Sequence, residues 1–197
     1  SLRGSSVLVT GGAGFIGSHL VERLLAHDVS RVTVLDSLAF GSEKNFTSHD
    51  GRVTLARQDI GAVTVQDLLP VFKGVDYVFH LAAEKHNASI GNPTKMLASN
   101  VQGTFNVLEA SVQQGAKKVV FTSSLYAYGR LSGAAFREDE VVRPSTVYGV
   151  SKVTGEHLTA MYSSKIETNT LRYLFVYGPR QWANAGYKSV IVKNFER

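Results

Sequence analysis

Cysteine is absent from the 197-residue chain, which excludes disulfide bonds and thiolate metal sites, and we expect no metal centre. No apolar run reaches the roughly 18 residues of a membrane-spanning helix, so we expect no membrane association. The amino terminus lacks the basic-then-apolar layout of a signal peptide, which favours a cytoplasmic protein. Proline is scarce, at four residues, and internal repeats and low-complexity stretches are lacking. The sequence therefore predicts one continuous folding unit.

The basic residues are not gathered into a stripe, although the net charge is +5. Lys117 and Lys118 form the densest pair, and the other basic residues are scattered. This distribution is typical of a solvated surface and argues against a nucleic-acid-binding face. A basic balance also suits ligands that carry pyrophosphate groups.

Short apolar runs alternate with longer helical patterns along the chain. We predict strands over residues 6–10, 31–36, 52–57, 75–81, 118–123 and 168–173. We predict helices over residues 14–27, 65–72, 94–114 and 146–164. Runs that are apolar at successive positions are typical of parallel strands buried on both faces. Alternating strands and helices predict βαβ units. The expected fold class is α/β, with a doubly wound parallel sheet.

A glycine-rich turn joins the first predicted strand to the first helix. Its frame is Gly11-x-x-Gly14-x-x-Gly17, and Phe15 and Ile16 open the helix. Glycine permits a tight turn and close backbone approach to a pyrophosphate, while the helix amino terminus offers unpaired N–H groups. Three glycines can also serve an ordinary turn, but the strand–turn–helix context favours dinucleotide binding.

Acidic residues close the second and third predicted strands. Asp36, 19 residues after Gly17, is placed to accept hydrogen bonds from the adenosine ribose hydroxyls. Its charge would repel a 2′-phosphate, so NAD is expected rather than NADP; the alternative role is a strand-end cap. Asp59 and Ile60 are predicted to border the adenine.

The motifs together resemble the extended short-chain dehydrogenase/reductase family, and within it the nucleotide-sugar branch that includes UDP-glucose 4-epimerase. They span nearly the whole chain: Thr10-Gly-Gly-Ala-Gly-Phe-Ile-Gly17, Asp36, Asp59-Ile60, His80-Leu-Ala-Ala83, Asn100, Ser123-Ser124, Tyr148-Gly-Val-Ser-Lys152 and Tyr177-Gly-Pro-Arg180. The resemblance implies further cofactor contacts on the central strands and helices, at Leu81, Ala82, Ala83, Lys85 and Asn100.

Tyr148 and Lys152 are four residues apart in a helical pattern, so they share one helix face. A nearby ammonium and a cationic nicotinamide would favour the phenolate, so Tyr148 could take a proton from a sugar hydroxyl. The resemblance implies that Lys152 also holds the nicotinamide ribose and that Ser124 orients the reacting sugar oxygen. The alternative for the pair is an amphipathic aromatic beside a surface lysine.

Three positions depart from the resembling family. Phe175 stands where many relatives carry an Asn that touches the nucleotide-sugar, which leaves the substrate pose open. Leu125 and Tyr126 stand where the 4,6-dehydratases carry an acid pair, which disfavours dehydration. His86 and Asn87 fall beside the expected sugar pocket, but ordinary loop polarity explains them equally well.

The favoured function is that of an NAD-dependent nucleotide-sugar epimerase, acting at C4 of a UDP-sugar through a transient 4-keto intermediate. A dehydrogenase, reductase or decarboxylase of the same family, and a non-catalytic dinucleotide sensor, stay open as alternatives. By family analogy, the helical patterns 94–114 and 146–164 could form a homodimer face.

The boundary between cofactor and substrate regions is expected near residue 180. Residues 1–180 would form the NAD-binding Rossmann domain, and residues 181–197 would start a truncated substrate-binding region, most of which we expect to be absent from this sequence. Residues 190–197 resemble the opening turns of a helix. We therefore expect the 197-residue chain to bind NAD, but to bind UDP-sugars weakly and to turn them over slowly.

Overall fold

A computed structural model describes residues 1–45, 51–130 and 135–181, together with residues 191 and 194, and omits the side chains of residues 88 and 89. The helix start expected over residues 190–197 lies almost entirely outside the described residues. None of the helices within the described ranges is long and apolar enough to cross a membrane.

Six strands form one parallel sheet, as predicted. They are β1 (Ser6–Thr10), β2 (Arg31–Asp36), β3 (Val53–Arg57), β4 (Tyr77–His80), β5 (Lys118–Ser124) and β6 (Glu167–Tyr173). Their order in the sheet is β3-β2-β1-β4-β5-β6. The strand order reverses between β1 and β4, and ligands of open α/β sheets bind at the carboxyl side of such a switch point. The doubly wound fold class is therefore confirmed, and the sheet predicts where a ligand binds.

Within the described residues, six α-helices connect the strands: α1 (Phe15–Ala26), α2 (Val65–Phe72), α3 (His86–Gly91), α4 (Pro93–Leu97), α5 (Gly103–Gln113) and α6 (Val147–Tyr162). The single helix expected over residues 94–114 is divided, because a π-helical turn at Ala98–Gln102 separates α4 from α5. Within it, the Gly103 N–H bonds to the Ala98 carbonyl five residues back. The short helix α3 was not predicted.

The two faces of the sheet bury different residues of the same strands. Val7 and Val9 of β1 pack against α1, whereas Leu8 packs with residues of α2, α5 and α6. This alternation follows from the two-residue period of a strand. All three side chains are fully buried, so β1 is the centre of the core.

Helix α6 lies against β5 through a glycine. A Cβ on Gly155 would overlap the Phe121 ring. That ring is 2% exposed and also packs against His80, with ring centroids 5.6 Å apart, so it has little room to move. The absence of a side chain at Gly155 therefore sets the distance between the helix and the sheet.

We expect Gly155→Ala to lower the free energy of unfolding by about 1–3 kcal/mol, the usual cost of overpacking a core. Urea unfolding of the purified variant measures this difference. The matched control is Gly91→Ala, because nothing lies within 4 Å of a Cβ at Gly91. An equal effect of the two substitutions would show that the contact of Gly155 with Phe121 does not limit helix packing.

Candidate functional site

The glycine-rich turn packs directly on the end of β4. Gly11 has a φ of +69°, and a Cβ there would lie 2.8 Å from the Ala82 backbone nitrogen. A Cβ on Gly17 would overlap the Gly11 carbonyl oxygen. Gly14 caps α1 without a side-chain hydrogen bond, so the first N–H groups of the helix can receive an anionic group. The turn therefore has the shape and polarity of a phosphate cradle.

Asp36 is held at the end of β2 by two backbone N–H groups. Its Oδ2 accepts from Ala13 at 3.0 Å and its Oδ1 accepts from Leu38 at 2.8 Å. Burial raises the pKa of Asp36, and these two hydrogen bonds oppose the rise. The carboxylate is thereby fixed beside the glycine-rich turn, where each oxygen keeps a further lone pair for a ligand hydroxyl.

Residues 37–45 form a loop that packs over the glycine-rich turn, and this loop was not predicted from the sequence. The Ala13 carbonyl accepts from the Ser42 backbone N–H at 3.1 Å and from the Asn45 side chain at 2.8 Å. From the β4 side, the Lys85 ammonium lies 4.9 Å from the centre of the Phe40 ring. Burial by the surrounding atoms lowers the pKa of Lys85, although much of its side chain is exposed. Lys85 thus bridges two sides of the crevice.

Asp59 and Ile60 lie at the end of β3, as expected, but they differ in environment. Asp59 Oδ1 accepts from the Gly61 N–H at 3.0 Å. The Ile60 side chain is 3% exposed and belongs to the hydrophobic core, where it fills the space left by Gly103. The predicted adenine contact of Ile60 stays a prediction, and it would have to involve backbone atoms.

The segment Leu81–Ala83 is held at both of its ends. The Thr10 hydroxyl accepts from the N–H groups of Leu81 at 3.1 Å and Ala82 at 3.0 Å. At the other end, Asn100 Oδ1 accepts from the Glu84 N–H at 2.7 Å, and its Nδ2 donates to the Glu84 carbonyl at 3.1 Å. The amide of Asn100 therefore supports this segment, and its contact with the cofactor stays a prediction.

Ser124, Tyr148 and Lys152 come together where β5 ends and α6 begins. The Ser124 hydroxyl interacts with the Tyr148 phenol and lowers its pKa. The Lys152 ammonium lies 5.7 Å from the centre of the Tyr148 ring and donates to the Thr122 carbonyl at 2.9 Å. Lys152 is 4% exposed, so its charge lies within the protein rather than on the surface. The interpretation of the pair as a surface lysine beside an aromatic is therefore wrong.

Burial dominates the electrostatics of this cluster. Burial raises the pKa of Tyr148 to about 12, and the interaction with the Ser124 hydroxyl only partly opposes this rise. Burial also lowers the pKa of Lys152 to about 8, against the field of Glu156. The Lys152 ammonium, 5.7 Å from the centre of the Tyr148 ring, does not by itself offset the effect of burial on the phenol. A phenolate at neutral pH therefore needs further positive charge beside Tyr148.

Glu156 holds Ser123 and Arg172 next to the cluster, and it was not predicted from the sequence. Its Oε1 accepts from the Ser123 hydroxyl at 2.5 Å and from Arg172 Nε at 2.9 Å, and its Oε2 accepts from Arg172 at 2.7 Å. The guanidinium of Arg172 stacks on Tyr128 at 4.7 Å. The available signal was spacing, because Glu156 follows Lys152 by one helical turn.

Two aromatic rings lie beside the ring of Tyr148. The Tyr126 ring stacks on His86 with centroids 4.6 Å apart and meets Tyr148 edge-on at 5.5 Å. Phe175, which stands in the place of an expected Asn, is 76% exposed. Tyr126 and His86 are thus the aromatic neighbours of Tyr148 within the described residues.

Residues 174–181 form an α1-docking segment that crosses back from the edge strand β6. Gly178 lies where its Cβ would be 3.6 Å from the Phe15 ring. Arg180 forms an ion pair with Glu22 of α1. The segment thereby connects the cluster side of the crevice with the phosphate side.

Comparisons with known proteins agree with this geometry. A sequence model of the NAD dependent epimerase/dehydratase family matches residues 7–197. A putative UDP-glucose 4-epimerase of Methanocaldococcus jannaschii is 37% identical over 179 residues, covering 89% of this chain and 57% of the relative. A dTDP-glucose 4,6-dehydratase of Streptomyces griseus is 36% identical over 186 residues, covering 89% of this chain and 56% of the relative.

Solved structures show the same fold. A UDP-N-acetylglucosamine 4-epimerase from Methanobrevibacter ruminantium, in complex with UDP-N-acetylmuramic acid, superposes with a TM-score of 0.89 at 33% identity, covering 98% of this chain and 62% of that one. A UDP-glucose 4-epimerase of Thermus thermophilus, in complex with NAD, superposes with a TM-score of 0.81 at 38% identity, covering 89% of this chain and 57% of that one.

The chain thus spans less than two-thirds of the length of these relatives. The family match, the sequence identities and the parallel sheet lead to one conclusion. The chain belongs to the NAD-dependent epimerase/dehydratase family of extended short-chain dehydrogenases/reductases, whose cofactor is NAD.

Proposed function

We propose that this protein is a nucleotide-sugar 4-epimerase that acts on a UDP-sugar. The observation that carries the proposal is the cluster of Ser124, Tyr148 and Lys152 at the end of β5 and the start of α6, with the Lys152 ammonium 5.7 Å from the centre of the Tyr148 ring. Epimerases are among its relatives, which supports the reaction class, although dehydratases and decarboxylases of similar identity are present too.

The crevice residues fit NAD. Gly11 and Gly17 leave a backbone cradle that any side chain would fill, and the first turn of α1 faces it without a side-chain cap. We propose that Asp36 receives the ribose hydroxyls and that Leu81–Ala83 and Lys85 line the rest of the cofactor. When bound, NAD accepts a hydride from the sugar C4 and later returns it to the opposite face.

Proton transfer falls to Tyr148. Its phenolate takes the proton of the C4 hydroxyl as the C–H bond of that carbon breaks. The phenol returns the proton when the C4 carbonyl of the keto sugar is reduced. Ser124 orients the sugar oxygen. The pKa of Lys152, lowered to about 8, leaves it mainly cationic at neutral pH. The combined positive charge of Lys152 and the oxidised cofactor would bring the pKa of Tyr148 down from about 12.

The residues beside Tyr148 favour epimerisation over dehydration. Elimination of water needs an acid and a base next to the sugar, and Leu125 and Tyr126 supply no carboxylate there. A UDP-glucuronic acid decarboxylase of Arabidopsis thaliana, 33% identical over 208 residues, is a relative as well. Decarboxylation therefore stands as the second candidate, since it begins with the same oxidation at C4.

The proposal extends to the domain organisation, the oligomeric state and the cellular location of the protein. Residues 1–180 would form the NAD-binding domain, because every proposed cofactor residue lies within them, and residues 181–197 would start the substrate-binding region. A homodimer could form through α5 and α6, where Val150 and Met161 are exposed apolar residues. The protein would act where NAD and nucleotide-sugars are both present, which we take to be the cytoplasm.

The function is tested by product analysis with NAD and a panel of UDP-, GDP- and dTDP-sugars. We expect slow conversion of a UDP-sugar to its C4 epimer without net formation of reduced nicotinamide. Release of carbon dioxide would instead establish the decarboxylase, and steady formation of reduced nicotinamide a dehydrogenase. Tight NAD binding without any product would support the non-catalytic sensor and contradict the proposal.

Tyr148→Phe removes the ionisable hydroxyl and keeps the ring. We expect the conversion rate to fall by at least about 10²-fold, the low end for loss of a general acid or base, with NAD binding retained. The control is Tyr162→Phe on the same helix, whose hydroxyl bonds to Glu109 away from the cluster. A Tyr148→Phe rate close to that of the unmodified protein would rule out Tyr148 as the base.

Asp36 should decide between NAD and NADP. We expect NAD to bind at least about tenfold more tightly than NADP, and Asp36→Ala to narrow the gap, because the charge opposing a 2′-phosphate is removed. Isothermal titration calorimetry with both dinucleotides measures this difference in affinity. Asp76→Ala is the matched control, since Asp76 accepts from the Ser6 N–H at the opposite end of β1. Equal affinities in the unmodified protein would contradict the assignment.

A further inference from the structure

His80, the last residue of β4, is enclosed between two threonine hydroxyls. Its ring is 1% exposed. Its Nδ1 lies 2.7 Å from Thr10 Oγ1, and its Nε2 lies 3.0 Å from Thr104 Oγ1. The proposed chemistry does not use this side chain. The ring nevertheless connects the strand under the glycine-rich turn to the helix that follows the π-helical turn.

The neighbouring bonds fix which ring nitrogen carries the proton. Thr10 Oγ1 already accepts two N–H groups, from Leu81 and Ala82, so its own proton must go to His80 Nδ1. The Thr104 hydroxyl donates to the Asn100 carbonyl at 2.6 Å, so it must accept from His80 Nε2. A neutral imidazole with its proton on Nε2 satisfies both partners. Burial favours this neutral form, since it lowers the pKa of His80 to about 3.

The hydrogen bonds continue beyond Asn100 to helix α6. The Asn100 side chain holds both backbone groups of Glu84, and its Nδ2 also lies 3.2 Å from the Ser151 hydroxyl. Ser151 in turn donates to the Tyr148 carbonyl at 2.7 Å. A continuous series of bonds therefore runs from Thr10, through His80, to the residue proposed as the base.

We infer that His80 is a positioning residue, whose Nε2-protonated ring fixes the π-helical turn at Asn100 relative to the end of β1. The two supports of the segment Leu81–Ala83, Thr10 at one end and Asn100 at the other, are joined by this one ring. Loss of either bond to the ring leaves a buried polar group unpaired and lets the two supports move independently. The inference rests on the proposed function at one point only, which is that NAD is the ligand lined by the segment Leu81–Ala83.

The tautomer is tested directly on the unmodified protein. Long-range ¹H–¹⁵N correlation spectra of histidine-labelled protein distinguish the two ring nitrogens. We expect His80 to carry its proton on Nε2, and to stay neutral, between about pH 5 and 8, where an exposed histidine titrates. A proton on Nδ1, or a His80 ring that titrates in this range, would overturn the inference whatever reaction the protein performs.

The coupling is tested with Thr104→Val, which keeps the shape and removes the hydroxyl. We expect NAD affinity, measured by calorimetry below the unfolding temperature, to fall roughly tenfold, the equivalent of one buried hydrogen bond. Thr104→Ser, which restores the hydroxyl, should recover the affinity to within about twofold.

The matched control is Thr159→Val. Thr159 is 1% exposed, like Thr104, and its hydroxyl also bonds to the carbonyl four residues back, at 2.7 Å, but outside the His80 series. We expect Thr159→Val to lower the thermal stability of the protein without changing its affinity for NAD. If Thr104→Val behaves in the same way, His80 has a structural role only. These readouts need no sugar, so they stay informative even if no epimerase product is found.

Discussion

Gly11 lies against Ala82 so closely that neither backbone could accommodate a side chain between them. This contact brings the ends of β1 and β4 together at the point where the strand order reverses. The phosphate cradle, Asp36 on β2 and the segment Leu81–Ala83 are all positioned relative to it. The site is therefore assembled from backbone atoms first, and its side chains are added around a fixed backbone frame.

Burial governs the chemistry of the reacting groups. The protein buries the phenol of Tyr148 and the ammonium of Lys152. Burial raises the pKa of Tyr148 and lowers the pKa of Lys152, so it favours the neutral form of each group. Glu156, itself held by Arg172, partly restores the lysine cation. The cluster thus lacks the charge to ionise Tyr148 unaided, and a cationic ligand would complete it. Such an arrangement links proton transfer to the oxidised state of the cofactor.

The sequence predicted the sheet well, because buried parallel strands and a glycine-rich turn leave strong local patterns. Six strands and the main helices were confirmed, and Ser124, Tyr148 and Lys152 were found together. The π-helical turn was not foreseen, since one extra residue in a helical turn hardly changes the apolar period. Asn45 and Glu156 were missed as well, because their partners, Ala13 and Arg172, are contacts of tertiary structure without a local motif.

The α1-docking segment joins residues that are far apart along the chain. Arg180 contacts Glu22, and the two residues are 158 positions apart in the sequence. During synthesis on a ribosome, α1 and the first strands emerge well before this segment does, and chains fold progressively from the amino terminus. The cradle would therefore exist for a time without its cross-connection. Because long-range contacts form late, the nascent cofactor site would be open to solvent, and to chaperones, until residue 180 has left the exit tunnel.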